Sequence, residues 1–103
     1  MNRKMSLILV LSGLSVLMMF SGCGGSPDVP SMKEGFMRSG MSAEQADCLA
    51  EKMSDTLPGK QYNFMANLMK EGLNEREAFT RARRKYGAEF REGMAEARKA
   101  CVE

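Results

Sequence analysis

Apolar positions along this chain follow two unlike patterns. From residue 7 to residue 20 they run almost without interruption, as "LILVLSGLSVLMMF". After residue 31 they recur at steps of three and four between charged positions. The second pattern predicts amphipathic helices, because side chains three and four residues apart share one helix face. No stretch after residue 31 alternates with period two, so strands are not expected.

Four helical segments are set off by their own start and stop signals. Ser31 begins the first as N-cap, with Glu34 three residues on to complete a capping box. Met32 and Phe36 share its face, and Gly40 closes it in the position that favours a left-handed residue. Ser42 and Gln45 form the box of the second, whose stripe is Ala46, Leu49, Ala50, Met53 and Leu57; Pro58 and Gly59 break it. The third covers about Lys60 to Glu71, with Phe64, Met65, Leu68 and Met69 as its apolar face. Gly72 stops it, and Leu73 is placed for the apolar contact of a Schellman cap.

Asn74 and Glu77 cap the fourth. Its stripe of Phe79, Ala82, Tyr86, Phe90, Met94, Ala97 and Cys101 stays in phase through Gly87 and Gly93. Each of those glycines costs a helix interior about 1 kcal/mol against alanine. The segment therefore reads as one long helix, roughly 40 Å at 1.5 Å per residue, or as two helices bent near Gly87. Unbroken phase favours the single helix, kinked there. The expected fold is all-α: a small bundle of about four helices over residues 32–103, the last one long.

The first region has the order of a secretory signal. "MNRKM" is a short positive stretch, the apolar run follows, and "SGC" supplies small residues at its end. A spanning helix needs about 20 apolar residues, and this run is interrupted by Ser12, Gly13 and Ser15. "FSGC" resembles the lipobox of bacterial lipoproteins: Ser21, Gly22 and Cys23 match, whereas Phe20 departs from the usual aliphatic residue. The resemblance covers residues 1–23 alone. It implies that residues 1–22 are a lipoprotein signal peptide, removed by cleavage before Cys23, and that the Cys23 thiol carries diacylglycerol and later a third chain. Gly24 in place of Asp after the cysteine implies sorting to the periplasmic side of the outer membrane if the cell has two membranes. Ordinary cleavage near Cys23 or Gly25, giving a soluble secreted chain, is the alternative. One acyl chain holds a protein only marginally and several hold it stably. Residues 23–31 then read as the lipidated cysteine and a flexible tether, its Gly and Ser giving freedom and Pro27 and Pro30 giving extension.

Charge narrows the partners. Arg3 and Lys4 are the only charges in the first 22 residues, which leaves 13 basic against 13 acidic residues in the remainder. A balanced domain has no overall footprint for nucleic acid. The absence of histidine removes the usual general base and the commonest metal ligand. Eleven methionines suit an adaptable helical core, although methionine also serves promiscuous binding faces.

An exported chain meets conditions in which disulfides persist. With Cys23 lipidated, Cys48 and Cys101 remain, and one intramolecular bond between them is expected. Two buried thiols or a bond between chains are the alternatives. Cys101 lies on the apolar stripe of its helix but Cys48 lies roughly opposite Ala46 and Met53, so the second helix must be packed on two sides. Neither CxxC spacing nor a metal-ligand pattern is present.

Two clusters remain. Arg81, Arg83, Arg84 and Lys85 beside Tyr86 suit contact with anionic lipid headgroups. The plainer reading is a solvated helix face, with Glu77 four residues before Arg81 and Glu89 four after Lys85 as local partners. Glu89, Glu92, Glu96 and Glu103 lie on or near the polar face and give no reason for acid–base work. The expected function is a lipid-anchored, non-enzymatic binding or scaffolding module at a bacterial membrane surface, with no cofactor, metal or nucleic acid and an unspecified protein partner. The alternative is a secreted helical effector or inhibitor whose Met and Phe faces act on a membrane or a partner protein.

Overall fold

The computed structural model describes residues 25–102. Five helices follow in order: α1 (Val29–Arg38), α2 (Ala43–Thr56), α3 (Gly59–Lys70), α4 (Glu75–Tyr86) and α5 (Ala88–Val102). No strand occurs among the described residues. The signal-like run, Cys23 and Glu103 lie outside them.

Capping fixes most of the boundaries. The Ser42 hydroxyl accepts from the Gln45 N–H at 3.2 Å, and Asn74 Oδ1 accepts from the Glu77 N–H at 2.9 Å. Both starts are those expected from the sequence. The first helix differs. Its N-cap is Asp28, whose Oδ1 accepts from the Ser31 N–H at 3.3 Å, so residues 29–31 belong to the helix and not to a tether. Pro30 sits in the first turn, where its missing N–H costs nothing. At the other end, Gly40 (φ 106°) and Gly72 (φ 110°) follow α1 and α3. The Met41 N–H reaches the Phe36 carbonyl and the Leu73 N–H reaches the Leu68 carbonyl, giving two Schellman caps.

The long last helix is corrected to two. Gly87 takes φ 75° and ψ −149°, a backbone region open essentially to glycine alone. It donates to the Arg83 carbonyl at 2.7 Å to end α4, and its own carbonyl accepts from the Arg91 N–H at 3.2 Å to start α5. A single residue thus turns the chain. The apolar stripe stays in phase across the break because both helices bury it in one core: Ala82 before the turn and Phe90, Met94 and Ala97 after it.

α2 is the centre of the bundle. It packs most extensively on α5 and then on α1; α3 spans α1 and α4, and α4 leans on α5. The expected stripe of α2, Ala46 through Leu57, is buried throughout. α3 buries Tyr62, Met65, Ala66 and Met69, while Phe64 and Leu68 pack only at the margin of the core. The Tyr62 hydroxyl donates to the Ala50 carbonyl at 2.8 Å, which lets a polar ring sit inside. Two helix-interior glycines permit close approach. A Cβ on Gly35 would lie 2.7 Å from a Met69 carbon, and one on Gly93 would lie 2.5 Å from Leu57 Cδ2. Five of the methionines are fully or almost fully buried, in agreement with a core role.

Cys48 and Cys101 form the expected disulfide, with Cα atoms 5.9 Å apart. It joins the first half of α2 to the last turn of α5, and α2 packs against both α5 and α1. The two-sided packing of α2 that its position demanded is present.

Candidate functional site

The site begins with one α3 side chain. Asn63 Oδ1 accepts from the Asp28 N–H at 2.8 Å, and Asn63 Nδ2 donates to the Ser26 carbonyl at 2.9 Å. The amide therefore pairs with the backbone of the incoming chain much as a strand would. Lys70, seven residues further along the same helix side, reaches Asp28 Oδ2 at 3.4 Å. Burial by itself would raise the pKa of the Asp28 carboxyl; hydrogen bonds from Ser31 and the pairing with Lys70 outweigh it and hold the pKa below the ordinary value. The chain enters the fold stitched to α3 from Ser26 onward.

Next to Asn63 in sequence, Phe64 turns toward α4. Its ring meets Tyr86 edge-on, with centroids 5.6 Å apart. Lys85 Nζ lies 5.4 Å from the Phe64 centroid and 5.6 Å from that of Tyr86, close enough for cation–π attraction to both. Phe64, Arg81, Arg84 and Lys85 line an open hollow of about 270 Å³. The spacing of these three cations, at i, i+3 and i+4, puts them on the side of α4 that faces α3.

The fourth member of the sequence cluster does not join them. Arg83 lies with Gly87, Ala88 and Arg91 around a separate hollow of about 150 Å³ at the α4–α5 turn. The contiguous "RARRK" is thus two surfaces in space. The expected local pairing is absent as well. The ion pairs among the described residues join Lys33 to Asp47, Lys70 to Asp28 and Arg98 to Glu75. Glu89 instead accepts from Gln61 Nε2 at 3.2 Å, and Arg81, Arg84 and Lys85 are exposed and form no ion pair among the described residues.

Other polar features are structural. Arg98 ties α5 to the start of α4 through Glu75 at 2.8 Å and lies over the Phe79 ring. Ser39 accepts from the Glu75 N–H and donates to the Gly35 carbonyl, fastening α1 to α4. Gln61 is buried, and its Oε1 has no hydrogen-bond partner among the described residues. Glu89, Glu92 and Glu96 are exposed. Among the described residues no three His, Cys, Asp or Glu side chains are grouped to hold a metal ion, and no helix is long and apolar enough to cross a membrane.

Sequence reasoning found the cations but missed Asn63 and assigned Phe64 to the core. The signal for Asn63 was faint: a polar residue flanked by Tyr62 and Phe64, with a partner 35 residues away. Comparison with family models, with curated proteins and with solved structures gives no match to this chain.

Proposed function

We propose that this chain is a lipid-anchored, non-enzymatic helical module that binds or scaffolds at a bacterial membrane surface, held there by acyl chains on Cys23. One observation carries the reading: of three cysteines, two are joined to each other within the helical body. The third stands at the end of the signal-like run, in the position that the lipobox resemblance gives to the acylated residue. A disulfide-closed body is also suited to an oxidising compartment.

The nature of the surface supports a binding module over an effector that works through exposed apolar faces. Met37, 42% exposed, is the large apolar side chain that stands out among the described residues. The remaining methionines and phenylalanines there are covered or half-covered. Exposed acidic and basic side chains are about equally numerous over the body as a whole, and the basic side chains of Arg81, Arg84 and Lys85 gather beside Phe64, an arrangement that suits docking.

Metabolic labelling with palmitate, followed by membrane fractionation, tests this reading. The parent chain is expected to take up label and sediment with membranes; Cys23→Ala is expected to lose both. An unlabelled parent recovered in the soluble fraction would overturn it.

A further inference from the structure

We infer that the α3–α4 face carrying Phe64, Arg81, Arg84 and Lys85 lies against an anionic bilayer, with its hollow receiving a phospholipid phosphate. The inference rests on the lipid-anchor reading and adds an orientation and a ligand to it.

The length of the leash comes first. Ser26 is hydrogen-bonded to Asn63, so only Gly24 and Gly25 separate Cys23 from the first residue stitched to the fold. At full extension that span is about 10 Å, close to the diameter of one helix. An anchor on so short a leash brings to the bilayer the surface around Asn63 and keeps the far side of the bundle away. Phe64 is the next residue on α3, and the outward positions between the two sides of that helix are filled by the exposed Lys60 and Asn67.

Chemistry comes second. Arg81, Arg84 and Lys85 converge on the hollow beside Phe64, and among the described residues no carboxylate pairs with them. The nearest acid on their side of α4, Glu77, is exposed one turn before Arg81 and makes no ion pair with it. Guanidinium forks match phosphate oxygens two at a time. Tyrosine is at home at headgroup level, and Tyr86 meets Phe64 edge-on with the Lys85 ammonium beside both rings. Arg83 and Arg91, on the α4–α5 side, fall outside this face and serve as an internal comparison.

The test uses the mature lipidated chain in nanodiscs. Intact mass first verifies the acyl chains; a chain without them refutes the anchor reading and ends the test there. Discs of phosphatidylcholine alone and discs with phosphatidylglycerol are then compared by acetylation of lysines read by mass spectrometry. Lys85 and Lys60 are expected to react about fivefold more slowly in the anionic discs, the factor for one cation held at an anionic surface, while Lys52 and Lys99 on α2 and α5 react equally in both. Arg81→Glu with Arg84→Glu is expected to abolish the difference, and Arg83→Glu with Arg91→Glu, an equal change of charge, to leave it. Equal Lys85 reactivity in the two discs, on a chain that carries its lipid, would overturn this inference alone. So would protection of Lys85 by inorganic phosphate on phosphatidylcholine discs to the same degree, which would make the hollow a site for a free anion.

Discussion

Gly93 and Leu57 meet so closely that a Cβ on the glycine would lie 2.5 Å from Leu57 Cδ2 and 2.8 Å from the Thr56 carbonyl oxygen. The Thr56 hydroxyl donates to the Gly93 carbonyl at 2.8 Å, which locks the end of α2 onto α5. Gly93→Ala gains about 1 kcal/mol of helix propensity but forces a backbone oxygen aside, an overpacking cost of about 1–3 kcal/mol. Net destabilisation is expected, read as a lower urea midpoint. A higher midpoint would show that α2 and α5 are less tightly packed than described.

The disulfide should dominate the stability of so small a body. Cys48 and Cys101 are 53 residues apart, and closing a loop of that length is worth about 4 kcal/mol in the chain-entropy model. Replacing both with serine should lower the unfolding free energy by up to that amount, and dithiothreitol should shift the parent's urea midpoint toward that of the variant. An unchanged parent midpoint in dithiothreitol, with reduction verified by thiol labelling, would contradict the assignment.

Asp28 caps α1 and pairs with Lys70, and its pKa is lowered in the fold. A lowered folded pKa contributes stability that is present above the unfolded value and is lost as pH falls through the folded one. Asp28→Ala should cost about 1 kcal/mol at neutral pH, as N-cap losses do. The gap between parent and variant should close as pH falls below about 4. Chemical denaturation of both chains across that range measures it.

Tyr62 is buried with its hydroxyl on the Ala50 carbonyl, and burial first, then the charges of Asp28 and Glu51, push its pKa well above the ordinary value. A raised folded pKa means that the stability it contributes is complete below the unfolded value and is lost as pH rises from there through the folded one. Tyr62→Phe should cost about 1 kcal/mol at neutral pH, the net worth of one such bond. In the folded state near pH 10, the ordinary tyrosine value, parent and variant should show equal tyrosinate absorbance, because Tyr62 contributes none.

Local signals carried most of this fold. Boxes at Ser42 and Asn74, glycines at 40 and 72, and the α2 stripe all gave the observed elements, because each depends on neighbours within one or two turns. The misses required distant partners or a single backbone angle. Gly87 breaks the chain by its positive φ, which the phase of an apolar stripe does not reveal. Asp28 was passed over for Ser31 because Pro30 looked like tether, although proline suits a first turn. Phe64, expected on the buried face, stays at the margin with Tyr86 and Lys85, and Tyr62, which the apolar pattern did not include, goes inside because its hydroxyl finds the Ala50 carbonyl. The basic run was legible as composition, but helical spacing divides it between two surfaces.

Attachment to the membrane is decided by what the new amino terminus carries. Mass spectrometry of the N-terminal peptide from membrane-purified chain tests it most directly. The expected peptide begins at Cys23, lacks residues 1–22 and carries a thioether-linked diacylglycerol, with mass that disappears in Cys23→Ala. A mature peptide beginning at Cys23 or Gly25 with no lipid on it would contradict the anchor and, with it, the membrane-facing role of the α3–α4 surface.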